Sequence, residues 1–176
     1  MNISNQLKMT VHASLFAALI AAGAFIAIPV GPVPIVLQNM FVLLAAIILG
    51  PRWGLACVAV YLLMGALGFP VFAGGTGGIG RLFGPTGGYL LSYLPAVFVT
   101  GIIAEKTGKK MLSDIVAMTA GSFIVYAVGV PWLKFVTGMG WRKAVAFGMY
   151  PFLIGDIIKI IAASFAAKII RPIVTH

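Results

Sequence analysis

Apolar positions along the chain gather into six runs, each long enough or nearly long enough to cross a bilayer. Short breaks rich in charge, glycine or proline separate them. The runs predict helices over about 10–28, 35–49, 53–68, 85–104, 111–136 and 151–171. A spanning helix needs about 20 apolar residues at 1.5 Å each to cross roughly 30 Å of hydrocarbon. The first break, Pro29 to Pro34, is too proline-rich to continue a helix. The second is Gly50-Pro51-Arg52, and the fourth is the charged loop Glu105 to Lys110. The third break, 69–84, holds six glycines. Pro85 suits the first turn of the fourth helix, and Pro131 predicts a kink in the fifth. Residues 138–150 read as an amphipathic segment near the interface.

Composition strengthens the membrane reading. Of 176 residues, 61% are hydrophobic and 9% are charged. A soluble domain carries about 25% charged residues. The net charge of +9 does not indicate nucleic acid, because the basic residues sit at the ends of apolar runs. With the N-terminus in the cytoplasm, Lys8, Arg52, Lys106, Lys109, Lys110, Lys168 and Arg171 lie inside, and Arg81, Lys134, Arg142 and Lys143 lie outside. That bias favours both termini inside with an even number of spans. The expected fold is therefore an all-α bundle of six transmembrane helices forming one membrane domain over 1–176. The first run reads as a retained span, not a cleaved signal. Cys57 is the only cysteine, so no intrachain disulfide forms.

Three features depart from plain lipid packing. Asp156 and Lys159 lie inside the sixth run, where a mid-membrane charge costs roughly 2.5–3.5 kcal/mol. Their i,i+3 spacing places them on one helical face. They read either as a packing ion pair or as the polar floor of a ligand pocket. The other acids, Glu105 and Asp114, flank the inner loop, where charge is cheap. In the glycine-rich stretch, Gly74, Gly75, Thr76, Gly77 and Gly78 read as a flexible link or as a lid, since glycine lets backbone approach a ligand closely. Gln38 and Asn39, early in the second span, and Tyr89 and Tyr93, early in the fourth, fall at the same outer depth. Amides there also serve plain helix–helix hydrogen bonding, and tyrosines are common at interfaces. Ala13, Ala17 and Ala21 form a small-residue stripe suited to close helix packing, either within the bundle or against a partner.

The chemistry that is missing also bears on function. Gly75, Gly77 and Gly80 match G-x-G-x-x-G, but that motif requires a preceding strand in a βαβ unit, and here it follows a span. No P-loop, no H-E-x-x-H and no carboxylate pair occurs, so neither ATP hydrolysis nor another catalysis is indicated. A channel would need a polar stripe through the full bilayer depth, and the inner half of each run reads as apolar. Neither a cofactor nor a metal site is expected.

Five segments in order carry a family resemblance: Pro34-Ile-Val-Leu-Gln38, Leu49-Gly-Pro-Arg-Trp-Gly54, Gly68-Phe-Pro-Val-Phe-Ala-Gly-Gly75, Phe83-Gly-Pro-Thr-Gly-Gly-Tyr89 and Gly155-Asp-Ile-Ile-Lys159. Together they resemble the BioY family, the biotin-binding S-components of energy-coupling-factor (ECF) transporters. The resemblance implies a six-helix S-component in the plasma membrane of a prokaryote that captures biotin from outside. It implies as partners a transmembrane coupling subunit, docked on the alanine stripe, and two ATPase subunits. It implies that Asp156 and Lys159 meet the ureido ring and that the glycine loop closes over it; by the chemistry of that ring Asp156 can accept, and Lys159 or Gln38 can donate. Phe41, Phe83 and Tyr89 then supply apolar walls. Arg81 departs from the family pattern and reads as solvated or as a partner for the ligand carboxylate. An S-component for another vitamin is the nearest alternative. A small membrane channel or enzyme subunit is the more distant one.

Overall fold

A computed structural model describes residues 3–29, 31–108 and 110–175. Val30 of the first break, Lys109 of the charged loop and the terminal His176 lie outside the described residues. The elements in order are α1 (Ile3–Phe25), β1 (Ala27–Ile28), β2 (Ile35–Val36), α2 (Gln38–Ala66), α3 (Gly80–Phe83), α4 (Gly87–Lys106), α5 (Met111–Thr137), α6 (Trp141–Gly148) and α7 (Tyr150–Thr175). Helices dominate because a helix satisfies every backbone polar group internally, as hydrocarbon demands. Four of them are long and apolar enough to cross a membrane by length and composition.

The second and third predicted spans appear as α2, which is broken at Gly50. There φ is +77° and ψ 178°, a conformation that L side chains rarely adopt. Pro51 then opens the second limb, a position that needs no backbone N–H. A Cβ on Gly54 would lie 3.4 Å from Ala46 Cα. In a straight helix residues eight apart are about 12 Å apart, so the limbs 38–49 and 51–66 fold back on each other. Among the described residues this makes six long helical segments: α1, the two limbs of α2, α4, α5 and α7.

Several boundaries differ from expectation. Ile35 and Val36 pair antiparallel with Ile28 and Ala27, so the second span starts at Gln38 instead of residue 35. α4 starts at Gly87, and Pro85 sits in the preceding turn. That turn is tight: a Cβ on Gly87 would lie 1.8 Å from Leu82 O. α5 continues as one helix through Pro131 to Thr137, and α7 passes Arg171-Pro172 to reach Thr175. The amphipathic segment contains α6.

The bundle has two distinct ends. At one, the start of α1 meets the end of α7, with Leu7 and Lys8 beside Ile173 and Val174. At this end Arg171 Nη2 donates to both carboxylate oxygens of Asp114, at 2.9 and 3.0 Å, and to Ile47 O at 3.2 Å. Asp114 is only 1% exposed. The expectation that this acid is cheaply solvated is corrected: α7 runs far enough to close an arginine over it. The same contact makes this half of the bundle less uniformly apolar than the runs suggested. The far end carries the β1–β2 hairpin, the glycine-rich loop and α6.

Candidate functional site

The site is built at the far end, where α7 brings two of its charges in under the start of α2. Asp156 and Lys159 are 6% and 8% exposed, and Lys159 Nζ lies 3.3 Å from Asp156 Oδ1. Asn39 Nδ2 donates to Asp156 Oδ1 at 2.9 Å. Tyr126 donates its hydroxyl to Asp156 Oδ2. Lys159 Nζ also donates to Val36 O at 2.8 Å and to Asn39 Oδ1 at 3.2 Å. Four side chains from α2, α5 and α7 thus close one network. Satisfying a charge with several hydrogen bonds is what makes its burial tolerable.

Two cavities adjoin this network. The smaller, about 50 Å³, is lined by Lys159, Asn39 and Tyr126. The larger, about 280 Å³, opens toward the glycine loop and is lined by Gln38, Thr76, Arg81 and Thr86 among others. They share Val33, Pro34, Val36, Tyr89 and Tyr93. The wall between them is therefore the second strand of the hairpin with its approach, plus two tyrosines of α4. Gln38 is 1% exposed, and its Nε2 has no hydrogen-bond partner. Buried amides are nearly always paired, so this donor in the wall of the larger cavity suits a polar ligand atom. At about 280 Å³ the larger cavity is near the lower limit of small-ligand pockets, roughly 300 Å³.

Tyr89 is held from two sides. Its hydroxyl donates to Gly148 O of α6 at 2.8 Å. Its ring lies where a Cβ on Gly129 would be, 2.4 Å away. It is buried and faces both cavities, as Tyr93 does. Trp132 Nε1 donates to Gly84 O at 3.0 Å, pinning the end of the glycine loop to α5.

The loop itself is folded, not loose. Phe72 pairs with Thr76 in an isolated bridge. The Phe72 ring packs edge-on to Tyr61, centroids 5.7 Å apart, over Gly65, where a Cβ would lie 2.1 Å from the ring. Gly74 N–H donates to Ala24 O of α1 at 3.0 Å. Gly74, Gly75 and Gly78 take positive φ, so glycine is needed there for the turns. Gly77 is needed because a Cβ would sit 2.2 Å from Phe69 O. None of these four glycines lines either cavity, whereas Phe72, Ala73 and Thr76 line the larger one. Thr76 Oγ1 donates to Ala73 O at 3.0 Å.

The structure therefore sets Tyr89 and Tyr93 on both cavities, Gln38, Thr76 and Arg81 on the larger and Lys159 on the smaller, while Asp156 lines neither and stands behind Lys159, Asn39 and Tyr126; others lie further off. Phe41 turns its ring onto Gly23 of α1 and lines neither cavity. Phe83 is 67% exposed on α3 and also lines neither. Ala13 and Ala17 are buried, with Ala21 packed beside them. That stripe packs α1 against the bundle, the first of the two readings that the sequence left open. The exposed small residues of α1 are Ser14, Ala18 and Ala22, one position further along. Sequence reasoning missed Tyr126 and placed Asn39 at the outer depth beside Gln38 without assigning it a role in the site. A tyrosine deep inside an apolar span was the available signal, since a buried hydroxyl needs a partner.

Six spans, helical throughout except for one short hairpin, with a polar-floored cavity at a single end, define a multi-pass membrane protein of the S-component fold. The fold assignment is direct: a crystal structure of the S-component for biotin from an ECF-type ABC transporter superposes with a TM-score of 0.91 at 30% identity, covering 98% of this chain and 95% of that one. The BioY family model matches residues 1–176, and the chain belongs to the BioY family. It is 44% identical over 161 residues to the biotin transporter BioY of Thermotoga maritima, covering 92% of this chain and 94% of that one. It is 40% identical to the probable biotin transporter BioY of Pyrococcus horikoshii, covering 88% and 91%.

Proposed function

We propose that this chain is the biotin-capture subunit of an ECF-type importer, taking biotin from the outer face into the cavity at the far end. The observation that carries the reading is the unpaired, buried Gln38 amide in the cavity wall beside the Asp156–Lys159 network, in a chain of the BioY family. The ureido group offers two N–H donors and one carbonyl acceptor. Asp156 accepts, and Lys159, Asn39 or Gln38 donates. Lys159 now spends one hydrogen bond on Val36 O. A ligand carbonyl can take that place when the 33–36 wall gives way and the two cavities join. Tyr89 and Tyr93 flank the thiophane ring. Arg81, the cation lining the mouth, meets the carboxylate, and the loop from Gly74 to Gly78 covers the site.

Both termini face the cytoplasm in this reading, and the far end faces outward. A transmembrane coupling subunit docks on α1 along Ser14, Ala18 and Ala22, flanked by the exposed Val11, Leu15 and Leu19. Two ATPase subunits of that module supply the hydrolysis. The test is calorimetry with the purified protein in nanodiscs, without nucleotide. Biotin should bind saturably to the unaltered chain and undetectably to the Asp156→Ala, Lys159→Ala double variant. Absence of binding to the unaltered chain refutes the ligand, and binding that survives in the double variant refutes the site. Mass spectrometry of the co-purified small molecule separates biotin from another vitamin.

A further inference from the structure

At the far end, the end of α5 and the start of α6 present cations that no acid neutralises among the described residues. Lys134, at the end of α5, lies over the Trp141 ring, 5.1 Å from its centroid. Arg142 and Lys143 follow on α6, and both are exposed. The chain has only three acids. Asp114 is paired with Arg171, Asp156 is enclosed in the site network, and Glu105 lies at the opposite end, its carboxylate over Gly50. Around the three cations stand exposed aromatic rings: Phe135 at 83%, Trp141 at 57% and Tyr150 at 61%. Aromatic and basic side chains mixed on a short amphipathic helix are the pattern of a segment lying in the membrane interface. Its inner face is buried through Ala144 and Gly148, and Gly148 O is the acceptor of the Tyr89 hydroxyl.

We propose that α6 and the end of α5 form an interfacial anchor whose cations, Lys134, Arg142 and Lys143, bind the phosphodiester headgroups of anionic lipid. The same contact, passed through Gly148 to Tyr89, fixes the wall shared by the two cavities. Each cation near an anionic surface enriches it by about fivefold. The second half of the proposal rests on the biotin reading, and the first half does not.

The experiment uses nanodiscs of phosphatidylcholine mixed equally with phosphatidylglycerol, with bromine on the acyl chains of one lipid at a time. Brominated phosphatidylglycerol should quench tryptophan fluorescence more than brominated phosphatidylcholine. The excess should vanish in Trp141→Phe and in the K134Q/R142Q/K143Q variant, and persist in K134R/R142K/K143R. Should the triple glutamine variant fail to fold, R142Q and K143Q singly should each lower the excess. Equal quenching by the two lipids, or an excess that survives charge removal, overturns the anchor. Loss of the excess on adding soluble glycerol phosphate overturns the lipid source. In the second arm, biotin affinity should be severalfold higher with phosphatidylglycerol than in phosphatidylcholine alone, and the glutamine variant should lose that difference. Affinity unaffected by lipid, with quenching excess intact, overturns the link through Tyr89. If biotin binds in neither membrane, the ligand reading fails while the quenching still decides the anchor.

Discussion

Asp156→Leu tests the physics of the site most directly. The carboxylate accepts from Asn39, Tyr126 and Lys159, and both ion-pair side chains are under 10% exposed. At 3.3 Å and an effective dielectric near 20, the gross attraction is about 5 kcal/mol. Desolvation of both charges offsets much of it. The substitution leaves the Lys159 ammonium buried with only Val36 O and Asn39 Oδ1 as acceptors. Breaking one side of a buried pair costs about 3–5 kcal/mol. Lys159→Met should cost less, because Asp156 keeps two donors. Asp156→Leu with Lys159→Met removes both charges; it strands the Asn39 and Tyr126 donors, at about 1–3 kcal/mol each, and frees the Val36 and Asn39 oxygens of their charged donor. The double variant should therefore be no less stable than Asp156→Leu alone, with a coupling energy of about 2–3 kcal/mol. Equilibrium unfolding in mixed micelles with rising SDS measures all four corners of the cycle. Additive single effects would refute the claim that the two charges stabilise each other.

Three further expectations follow from contacts already described. Tyr126→Phe removes one hydrogen bond to a charged acceptor, worth about 1.5–3 kcal/mol; biotin affinity should fall roughly tenfold or more in a calorimetric titration. Gly129→Ala pushes a methyl into the Tyr89 ring, an overpacking of about 1–3 kcal/mol, and should weaken biotin binding, with no loss if Tyr89 is uninvolved. Arg171→Leu leaves Asp114 buried and unpaired, and should destabilise by about 3–5 kcal/mol in the SDS assay. Biotin affinity measured under folding conditions should stay within about twofold of the unaltered chain, since that pair lies at the opposite end of the bundle.

The sequence made some of this legible and hid the rest for a physical reason. Span count and breaks were readable because charge, glycine and proline interrupt hydrophobicity in one dimension. Asp156 and Lys159 stood out because a charge in an apolar run is expensive. Which way a helix faces was not readable. A span that is apolar all round carries no contrast between core and lipid. Ala13 and Ala17 therefore read equally as bundle packing or as a docking face, although they face inward, and Phe41 passed for a pocket wall when it packs on Gly23. Asp114 looked cheap because only its distance along the chain to the charged loop was visible, and not Arg171 arriving from another helix.

The charges of α7 also bear on how the chain enters the membrane. Asp156 and Lys159 together cost about 5–7 kcal/mol at mid-bilayer on insertion scales, and Lys168 and Arg171 lie on the same helix. Inserted alone, α7 would be the least willing of the spans to leave the translocon. It is the last of the described helices to be synthesised, after Asn39, Tyr126 and Asp114 have entered the bilayer. Its carboxylate, its ammonium and its guanidinium each find a waiting partner from an earlier span. Moving this helix to the front of the gene would demand the same insertion with none of those partners in place.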